Sequence, residues 1–249
     1  MKEELLKFSP GKGNAKLAAL GGVVYTFSLP SGWSCPAAKD CLSRAHKEVT
    51  EGVTKYKILD GKDTKFRCFS ATQEVVYKAV REQRQYNYDL LRKAKTAANM
   101  FELIKKSLPK EATVIRIHVG GDFFSEDYMK AWAAVAAIRP EVTFYAYTKS
   151  LNYWVSLKEK RQIFSNFKLN ASKGGKYDHL ISKHNLKYAE VVYTEQEAID
   201  KGLDIDHDDS HAFLKDKSFA LLLHGVQPAG STAAQALKAL KGVGSYSKK

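Results

Sequence analysis

Six short apolar runs recur along the chain, and each is rich in β-branched or aromatic residues, which predicts a β-strand. They cover residues 23–29, 113–119, 142–148, 167–171, 189–193 and 219–223. The segments between them carry apolar residues at a helical period instead. The longest predicted helix runs from about residue 73 to residue 107, before Pro109. Shorter helices are predicted at 125–138, after Gly174-Gly175, and at 151–164, 195–201 and 231–240.

Strand and helix therefore alternate through six βα units, which predicts an α/β fold with a parallel sheet and right-handed crossovers. Two architectures are consistent with this alternation: an open, doubly wound sheet, or a partial (β/α)6 barrel. Periodicity alone does not choose between them. In both, ligands bind at the carboxyl ends of the strands, so the chemistry is expected there.

The pattern predicts one domain over residues 23–241, with an N-terminal extension at 1–22 and a flexible tail at 242–249. A Lys-rich insertion interrupts the domain at about residues 42–67. No window approaches 18 consecutive apolar residues, so no transmembrane helix is expected. The N-terminus lacks the apolar stretch of a signal peptide. Three cysteines are too few for a disulfide scaffold, and a reducing, cytoplasmic setting is expected.

The formal net charge of +13 suggests an anionic partner. We predict that DNA or RNA binds to a Lys-rich face, with an affinity that falls as salt rises. The competing interpretation is a solvated basic surface. The basic side chains of the insertion are Lys47, Lys55, Lys57, Lys62, Lys65 and Arg67. Aromatic candidates for base stacking are Tyr86, Tyr88, Tyr145, Tyr147 and Trp154, for which core packing is the alternative.

All three cysteines, Cys35, Cys41 and Cys68, lie in the one connection after the first predicted strand. Thiolates bind soft metals and iron–sulfur clusters, and three of them can hold three irons of a [4Fe–4S] cluster and leave the fourth iron open. A zinc site with His46 as fourth ligand is an alternative, although the usual C-x2-C spacing is absent. Three unrelated, partly buried cysteines are the other alternative.

Polar residues also follow the other predicted strands. Gly120-Gly121-Asp122 follows the second; the glycines leave room for a ligand, and the carboxylate can accept from a cationic group. A tight turn in which Asp122 helps to cap the next helix explains the same residues. Asn170 and Ser172 follow the fourth strand and suit a ribose or a carboxylate. His224 follows the sixth, where a structural role is the usual one for a lone histidine. The acidic segment 204–209 is expected to be an exposed loop.

Four common motifs are absent from the sequence. It contains no G-x-x-x-x-G-K-[ST] phosphate loop and no G-x-S-x-G nucleophile elbow. It also lacks H-E-x-x-H, and H-x-E with a following C-x-x-C, so zinc proteases and zinc deaminases are unsupported.

The cysteine connection, the Gly-Gly-acid turn and the six βα units together resemble the radical S-adenosylmethionine (SAM) superfamily from about residue 23 to 240. More narrowly, four segments resemble a poorly characterised bacteriophage family labelled gene product eighty-eight. These segments are FSLPSGWSCP at 27–36, RCFSA at 67–71, IHVGGDFFS at 117–125 and YAYTKS at 145–150. The chain departs from the superfamily's usual C-x3-C-x2-C motif, because 26 residues separate Cys41 from Cys68.

The resemblance implies a radical-SAM-like partial barrel in which Cys35, Cys41 and Cys68 bind three irons and the amino and carboxylate groups of SAM chelate the fourth. Gly120, Gly121 and Asp122 would line the methionine part of SAM. Further cofactor contacts would come from Asn170, Ser172 and His224. Reduction, by a reductant protein, would cleave SAM to methionine and a 5′-deoxyadenosyl radical that abstracts a hydrogen from the substrate. Nucleic acid is one candidate substrate, and a phage-encoded protein would work in the host cytoplasm.

Two functions from other classes stay open. One is a non-catalytic scaffold that binds nucleic acid or protein and carries a structural metal or cluster. The other is a metal-dependent nuclease that uses Asp122, Glu126 and Asp127.

Overall fold

The computed structural model describes residues 4–18 and 20–240. The strands in this part of the chain are β1 (Ser9–Pro10), β2 (Val24–Phe27), β3 (Ser43–Thr50), β4 (Val53–Asp60), β5 (Val114–Ile117), β6 (Thr143–Thr148), β7 (Phe167–Ser172), β8 (Tyr188–Val192), β9 (Asp204–Ile205) and β10 (Phe219–Leu222). The helices are α1 (Ala15–Ala18), α2 (Phe69–Val76), α3 (Lys78–Ala94), α4 (Ala97–Ser107), α5 (Glu126–Ile138), α6 (Leu151–Glu159), α7 (His179–Lys183), α8 (Glu195–Asp200), α9 (Ser210–Phe213) and α10 (Thr232–Ala239).

A mostly parallel sheet with the order β1-β2-β5-β6-β7-β8-β10-β9 forms the centre of this mixed α/β fold. Only the β1–β2 pair at one edge is antiparallel. All six predicted strands are confirmed as β2, β5, β6, β7, β8 and β10, with ends shifted by at most two residues. They lie side by side in chain order, without the reversal that marks a doubly wound sheet. Their carboxyl ends therefore meet along one edge.

Side chains alternate between the two faces of this sheet, and both faces are covered. Phe27, Ile115 and Phe144 point to one face and join the large core that includes Trp132 of α5. Val24, Val114, Tyr145 and Phe219 point to the other face and pack with Leu17 of α1 and Ala212 of α9. Burial on both faces explains why the strands read as apolar runs rather than as an alternating pattern.

The prediction of one long helix at about 73–107 is wrong in detail, because the chain forms three helices there, α2, α3 and α4. Tyr77 has extended backbone angles and separates α2 from α3. Lys95 has a φ of 65° and ends α3. Thr96 then caps α4 by accepting a hydrogen bond from the backbone N–H of Asn99. The apolar period continues across these breaks, so periodicity did not reveal them.

The insertion at 42–67 contains a β-hairpin that the sequence analysis missed, since it found no clear periodicity there. β3 and β4 pair over their full length as a separate two-stranded sheet. Glu51 and Gly52 form the tight turn with φ values of 51° and 77°. Two positive φ values match the turn that suits the twist of a two-residue hairpin.

The termini differ in how far the structure describes them. Part of the predicted N-terminal extension packs on the domain, because β1 pairs with β2 and Leu6 and Leu17 are buried. The predicted flexible tail at 242–249 lies outside the described residues. Within 4–18 and 20–240, none of the helices has the length and apolarity needed to cross a bilayer.

Candidate functional site: a cysteine-lined cavity at the strand ends

A cavity lies at the carboxyl ends of the parallel strands, where the fold predicts ligand binding. It encloses about 990 Å³, including the part that opens to solvent. The loop after β2, the start of α2 and the ends of β5, β6, β7, β8 and β10 contribute to its wall. Apolar side chains such as Phe69, Val191 and Leu223 supply much of the surface.

All three cysteines, Cys35, Cys41 and Cys68, line this one cavity as free thiols. The long separation between Cys41 and Cys68 is bridged because the ends of the insertion meet. At its base the N–H of Gly61 donates to the carbonyl of Leu42 at 2.7 Å. The N–H of Cys68 donates to Ser43 Oγ at 3.2 Å. The hairpin therefore leaves the domain and returns to the same place.

The surroundings of the three thiols raise their pKa values and so favour the protonated form. Burial raises the pKa of Cys35 well above its usual range, and Asp122, Cys68 and Cys41 add to the rise. Burial raises the pKa of Cys41 as well, against the opposing charge of Lys149. Burial and the neighbouring Cys41 raise the pKa of Cys68 to about 11. A metal or cluster that binds here must therefore displace the thiol protons.

Backbone N–H groups favour the thiolate form of two of the three cysteines. The N–H of Gly32 donates to Cys35 Sγ at 3.3 Å. Cys68 stands at the N-cap of α2, where the N–H groups of Ala71 and Ser70 lower the pKa of its thiol, against the larger effect of burial. Such N–H···S bonds stabilise a thiolate and tune iron–sulfur clusters.

The Gly120-Gly121-Asp122 turn faces the same cavity, but Asp122 makes its hydrogen bonds within the protein. Its Oδ1 accepts from Thr148 Oγ1 at 2.6 Å and from the N–H of Phe123 at 2.7 Å. Its Oδ2 accepts from the N–H of Lys149 at 2.8 Å. Burial nevertheless raises the pKa of Asp122 to about 6. The carboxylate thus ties the end of β5 to the end of β6. The N-cap of α5 is Ser125, so Asp122 does not cap that helix.

The two glycines are required by packing inside the protein. A Cβ on Gly120 would lie 2.0 Å from Ser70 Oγ. Gly121 has a φ of 87°, and a Cβ there would lie 2.6 Å from Ser34 Oγ and 2.7 Å from Leu29 Cβ. The sequence analysis weighed a ligand's approach against a tight turn for these glycines. The contacts that a side chain would break are with α2 at Gly120 and with the loop after β2 at Gly121, as a tight turn requires.

The other predicted cofactor contacts divide between the cavity wall and the core. Ser172 and His224 line the cavity, and the His224 ring packs on Phe69 with centroids 4.6 Å apart. Asn170 is fully buried, and its side-chain amide donates to the carbonyls of Ala146 and Ala212. Asn170 is thus part of the packing beneath the cavity.

Lys149 was not singled out as a site residue, yet it is a buried cation in the cavity wall. Its Nζ donates to the carbonyl oxygens of Ser172 and Lys173 and to Ser172 Oγ, at 2.7 to 3.0 Å. These contacts fix the ammonium group near Cys41, whose pKa it lowers against the effect of burial. Its position directly after β6 is the sequence signal that could have identified it.

A buried charged network was also missed. Arg116, on the β5 face that points into the cavity, forms an ion pair with Asp209. The hydroxyl groups of Tyr145 and Tyr147 donate to the same carboxylate at 2.9 and 3.4 Å. Asp209 has a φ of 63° and lies at the N-cap of α9. The prediction that segment 204–209 is exposed is wrong for Asp206 and Asp209, which are both 1 % exposed.

The alternative sites are not assembled around this cavity. His46 lies on β3 and lines a different cleft, away from the three cysteines. Glu126 is paired with Lys130 and Lys160, and Asp127 is exposed on α5, so neither joins Asp122. Within residues 4–18 and 20–240, no three His, Cys, Asp or Glu side chains form a group that could hold a metal ion.

Comparison with known proteins places the chain among bacteriophage proteins. The Gene 88 protein of Mycobacterium phage L5 is 30% identical over 159 residues, which cover 60% of this chain and 56% of that protein. The Gene 88 protein of Mycobacterium phage D29 is 31% identical over 150 residues, covering 55% of this chain and 50% of that protein. The chain thus spans about half the length of these curated relatives. No solved structure matches the chain.

The model of the family described as Gene product 88 matches residues 4–241. This match confirms the phage-family part of the resemblance and gives no support to the radical SAM part. Because it covers nearly the whole sequence, the chain belongs to the Gene product 88 family.

Proposed function

We propose that Cys35, Cys41 and Cys68 bind a [4Fe–4S] cluster and that the protein is a radical-SAM-like enzyme. The observation that carries this proposal is the presence of all three thiols on the wall of one cavity at the strand ends. Three soft ligands from two loops suit a cluster with one open iron. The bulk of the 26-residue separation is the β3–β4 hairpin, so the departure from the usual motif need not disturb the ligand set.

The chemistry of the cavity fits such a group. The N–H···S hydrogen bond at Cys35 and the N–H groups at the start of α2 beside Cys68 would stabilise the thiolates that a cluster requires. Ligands of a single zinc ion lie about 3.8 Å apart if the Zn–S distance is about 2.3 Å in tetrahedral geometry. Cluster ligands sit on separate irons and so lie farther apart. Within the described residues no such metal-binding group is found, so the cluster is a proposal that rests on the cavity shared by the three thiols.

The fold is also compatible with the finer architecture that the resemblance implies. Six parallel strands in chain order are the arrangement that a partial (β/α)6 barrel requires. We propose this closure, with the cavity at its mouth.

A bound cluster would supply the electron that cleaves SAM and so generates the radical that attacks the substrate. The protein's own residues bind, orient and exclude water. Lys149 holds a fixed positive charge beside Cys41, where negative charge would accumulate. Asp122 links the end of β5 to the end of β6 through its hydrogen bonds with Thr148 and Lys149. Arg116 and Tyr147 are polar residues of the cavity wall. Leu221 and Leu223 are apolar residues of the same wall and would help to exclude water.

The test is reductive SAM cleavage by the anaerobically reconstituted protein. With dithionite and SAM, we expect 5′-deoxyadenosine to accumulate and the Cys68→Ser variant to produce none. Ala98→Ser, at an exposed position of α4, is the matched control and should behave as wild type. A cluster-loaded wild-type protein that makes no 5′-deoxyadenosine and whose cluster spectrum does not change with SAM would contradict the enzymatic proposal. It would favour the scaffold with a structural cluster.

A further inference from the structure

A second cleft lies outside the cysteine cavity, between the β3–β4 hairpin and the helices α2 and α3. Its wall includes Trp33, Lys47, Tyr56, Arg81 and Gln85. Aromatic rings, cations and an amide, together with Glu74 and Glu82, thus line one surface cleft of about 970 Å³ that is open to solvent. We propose that this cleft binds single-stranded nucleic acid. The inference does not depend on the cluster.

Trp33 is the first aromatic platform. It is 48% exposed although it is one of the largest side chains in the protein. Its position is nevertheless fixed, because Nε1 donates to the carbonyl of Ala45 at 3.1 Å and the Arg44 guanidinium lies 4.7 Å from its ring. An indole that is held in place and accessible to solvent loses little entropy when a base stacks on it.

Tyr56 is the second platform. The Arg81 guanidinium lies 3.6 Å from its ring centroid, and Lys47 is its direct cross-strand partner on the hairpin. Arg81 and Tyr56 therefore form an arginine–aromatic pair within the cleft, and Trp33 brings its own contact with Arg44 to the border. Bases of single strands stack both on aromatic rings and on guanidinium planes, while cations contact the phosphates.

Of the six basic residues counted in the insertion, Lys47 is the one that lines this cleft. Three of the six basic residues counted there are neutralised by carboxylates: Lys57 by Glu48, Lys65 by Asp40 and Arg67 by Asp60. Lys47 instead faces the cleft and is exposed. A single strand is the form that fits, because the faces of its bases are accessible to aromatic side chains, whereas a duplex hides them.

The first experiment measures binding of a labelled oligothymidylate and of a labelled oligouridylate by fluorescence anisotropy, with a duplex of equal length beside them. We expect both single strands to bind more tightly than the duplex and to quench tryptophan emission. The quenching reports on Trp33, because Trp132 and Trp154 are buried. Trp33→Ala should weaken binding about tenfold, as expected for one lost stacking contact. Phe164→Ala, on another exposed aromatic residue, is the control.

The second experiment uses two lysines on opposite faces of the same hairpin. Lys47 pairs with Tyr56, and Lys55 pairs with Glu48, so their side chains point in opposite directions. Lys47→Gln should make the slope of log affinity against log salt less steep by about 0.7, the value for one phosphate contact on a single strand. Lys55→Gln should leave it unchanged. Circular dichroism verifies that each variant folds.

Three results would overturn the inference. The first is no binding of either single strand at low salt. The second is equal affinity of Trp33→Ala and Phe164→Ala. The third is tighter binding of the duplex with equal effects of the two lysine substitutions, which would indicate a diffuse basic surface.

Discussion

Asp122 is a buried carboxylate whose environment makes the stability of the protein depend on pH. It is 4% exposed, and burial raises its pKa from 3.8 to about 6 in spite of its three hydrogen bonds. Between these two pH values the folded state binds the Asp122 proton more tightly than the unfolded state. The contribution of Asp122 to stability is therefore full below about pH 4 and falls as the pH rises to about 6.

We predict that Asp122→Asn removes this contribution to the pH dependence. The shift corresponds to a change on the order of 3 kcal/mol across that range, at about 1.4 kcal/mol per pKa unit. Urea unfolding at a series of pH values measures the difference between wild type and variant. The exposed Asp127→Asn is the control and should keep the wild-type profile. If the difference between wild type and Asp122→Asn is constant from pH 4 to 6, the pKa of Asp122 is not raised.

At the scale of single residues, the sequence predicted the positions of polar side chains better than it predicted their contacts. The position of Cys68, Asp122 and Ser172 after strands was enough to place them at the cavity. Arg116 and Asp209 could not be found this way. Their ion pair joins residues that are 93 positions apart in the sequence. A run of aspartates is typical of a solvated loop, and only the tertiary structure shows that Asp209 is buried.

Among the turns, Gly52 and Gly121 both have positive φ but differ in their surroundings. A Cβ on Gly52, at the hairpin tip, would meet no atom within 4 Å. A Cβ on Gly121 would overlap Ser34 and Leu29. We predict that Gly52→Ala costs about 1–2 kcal/mol, the penalty for a left-handed alanine. Gly121→Ala adds overpacking, for about 2–5 kcal/mol in total.

Denaturant midpoints of the two glycine variants and of wild type measure these costs. The two alanine variants are each other's controls, because the backbone penalty is shared and only the side-chain overlap differs. Equal midpoints would mean that the loops around Gly121 give way, and that the packing account of the turn is wrong.

Among the secondary-structure elements, the sequence best predicted those whose pattern of apolar residues is typical of only one kind of element. The six central strands are continuous β-branched and aromatic runs bounded by turn residues, and all six were found. The hairpin was missed because charged residues dominate its exposed strands and its turn is Glu51-Gly52 rather than the more familiar Asn-Gly. The breaks at Tyr77 and Lys95 carry no Gly or Pro, so the helical period concealed them.

Over the whole molecule, the two candidate sites are neighbours along the chain. Trp33 lines the hairpin cleft and Cys35, two residues later, lines the cavity. Cys68 stands at the start of α2, and the hairpin packs against this helix. A single strand of nucleic acid bound in the cleft would thus lie close to the mouth of the cysteine cavity. The sequence predicted the cavity through strand order, but the cleft depends on a hairpin that only the tertiary structure reveals.

The central claim is that the three cysteines hold an iron–sulfur cluster, and the most direct test is the iron and sulfide content after anaerobic reconstitution and desalting. We predict a brown protein with visible absorbance and about four irons per chain. A variant with Cys35, Cys41 and Cys68 all replaced by serine should be colourless, while Ala98→Ser retains the iron. A colourless wild-type protein, or equal iron in wild type and the triple-serine variant, would contradict the account.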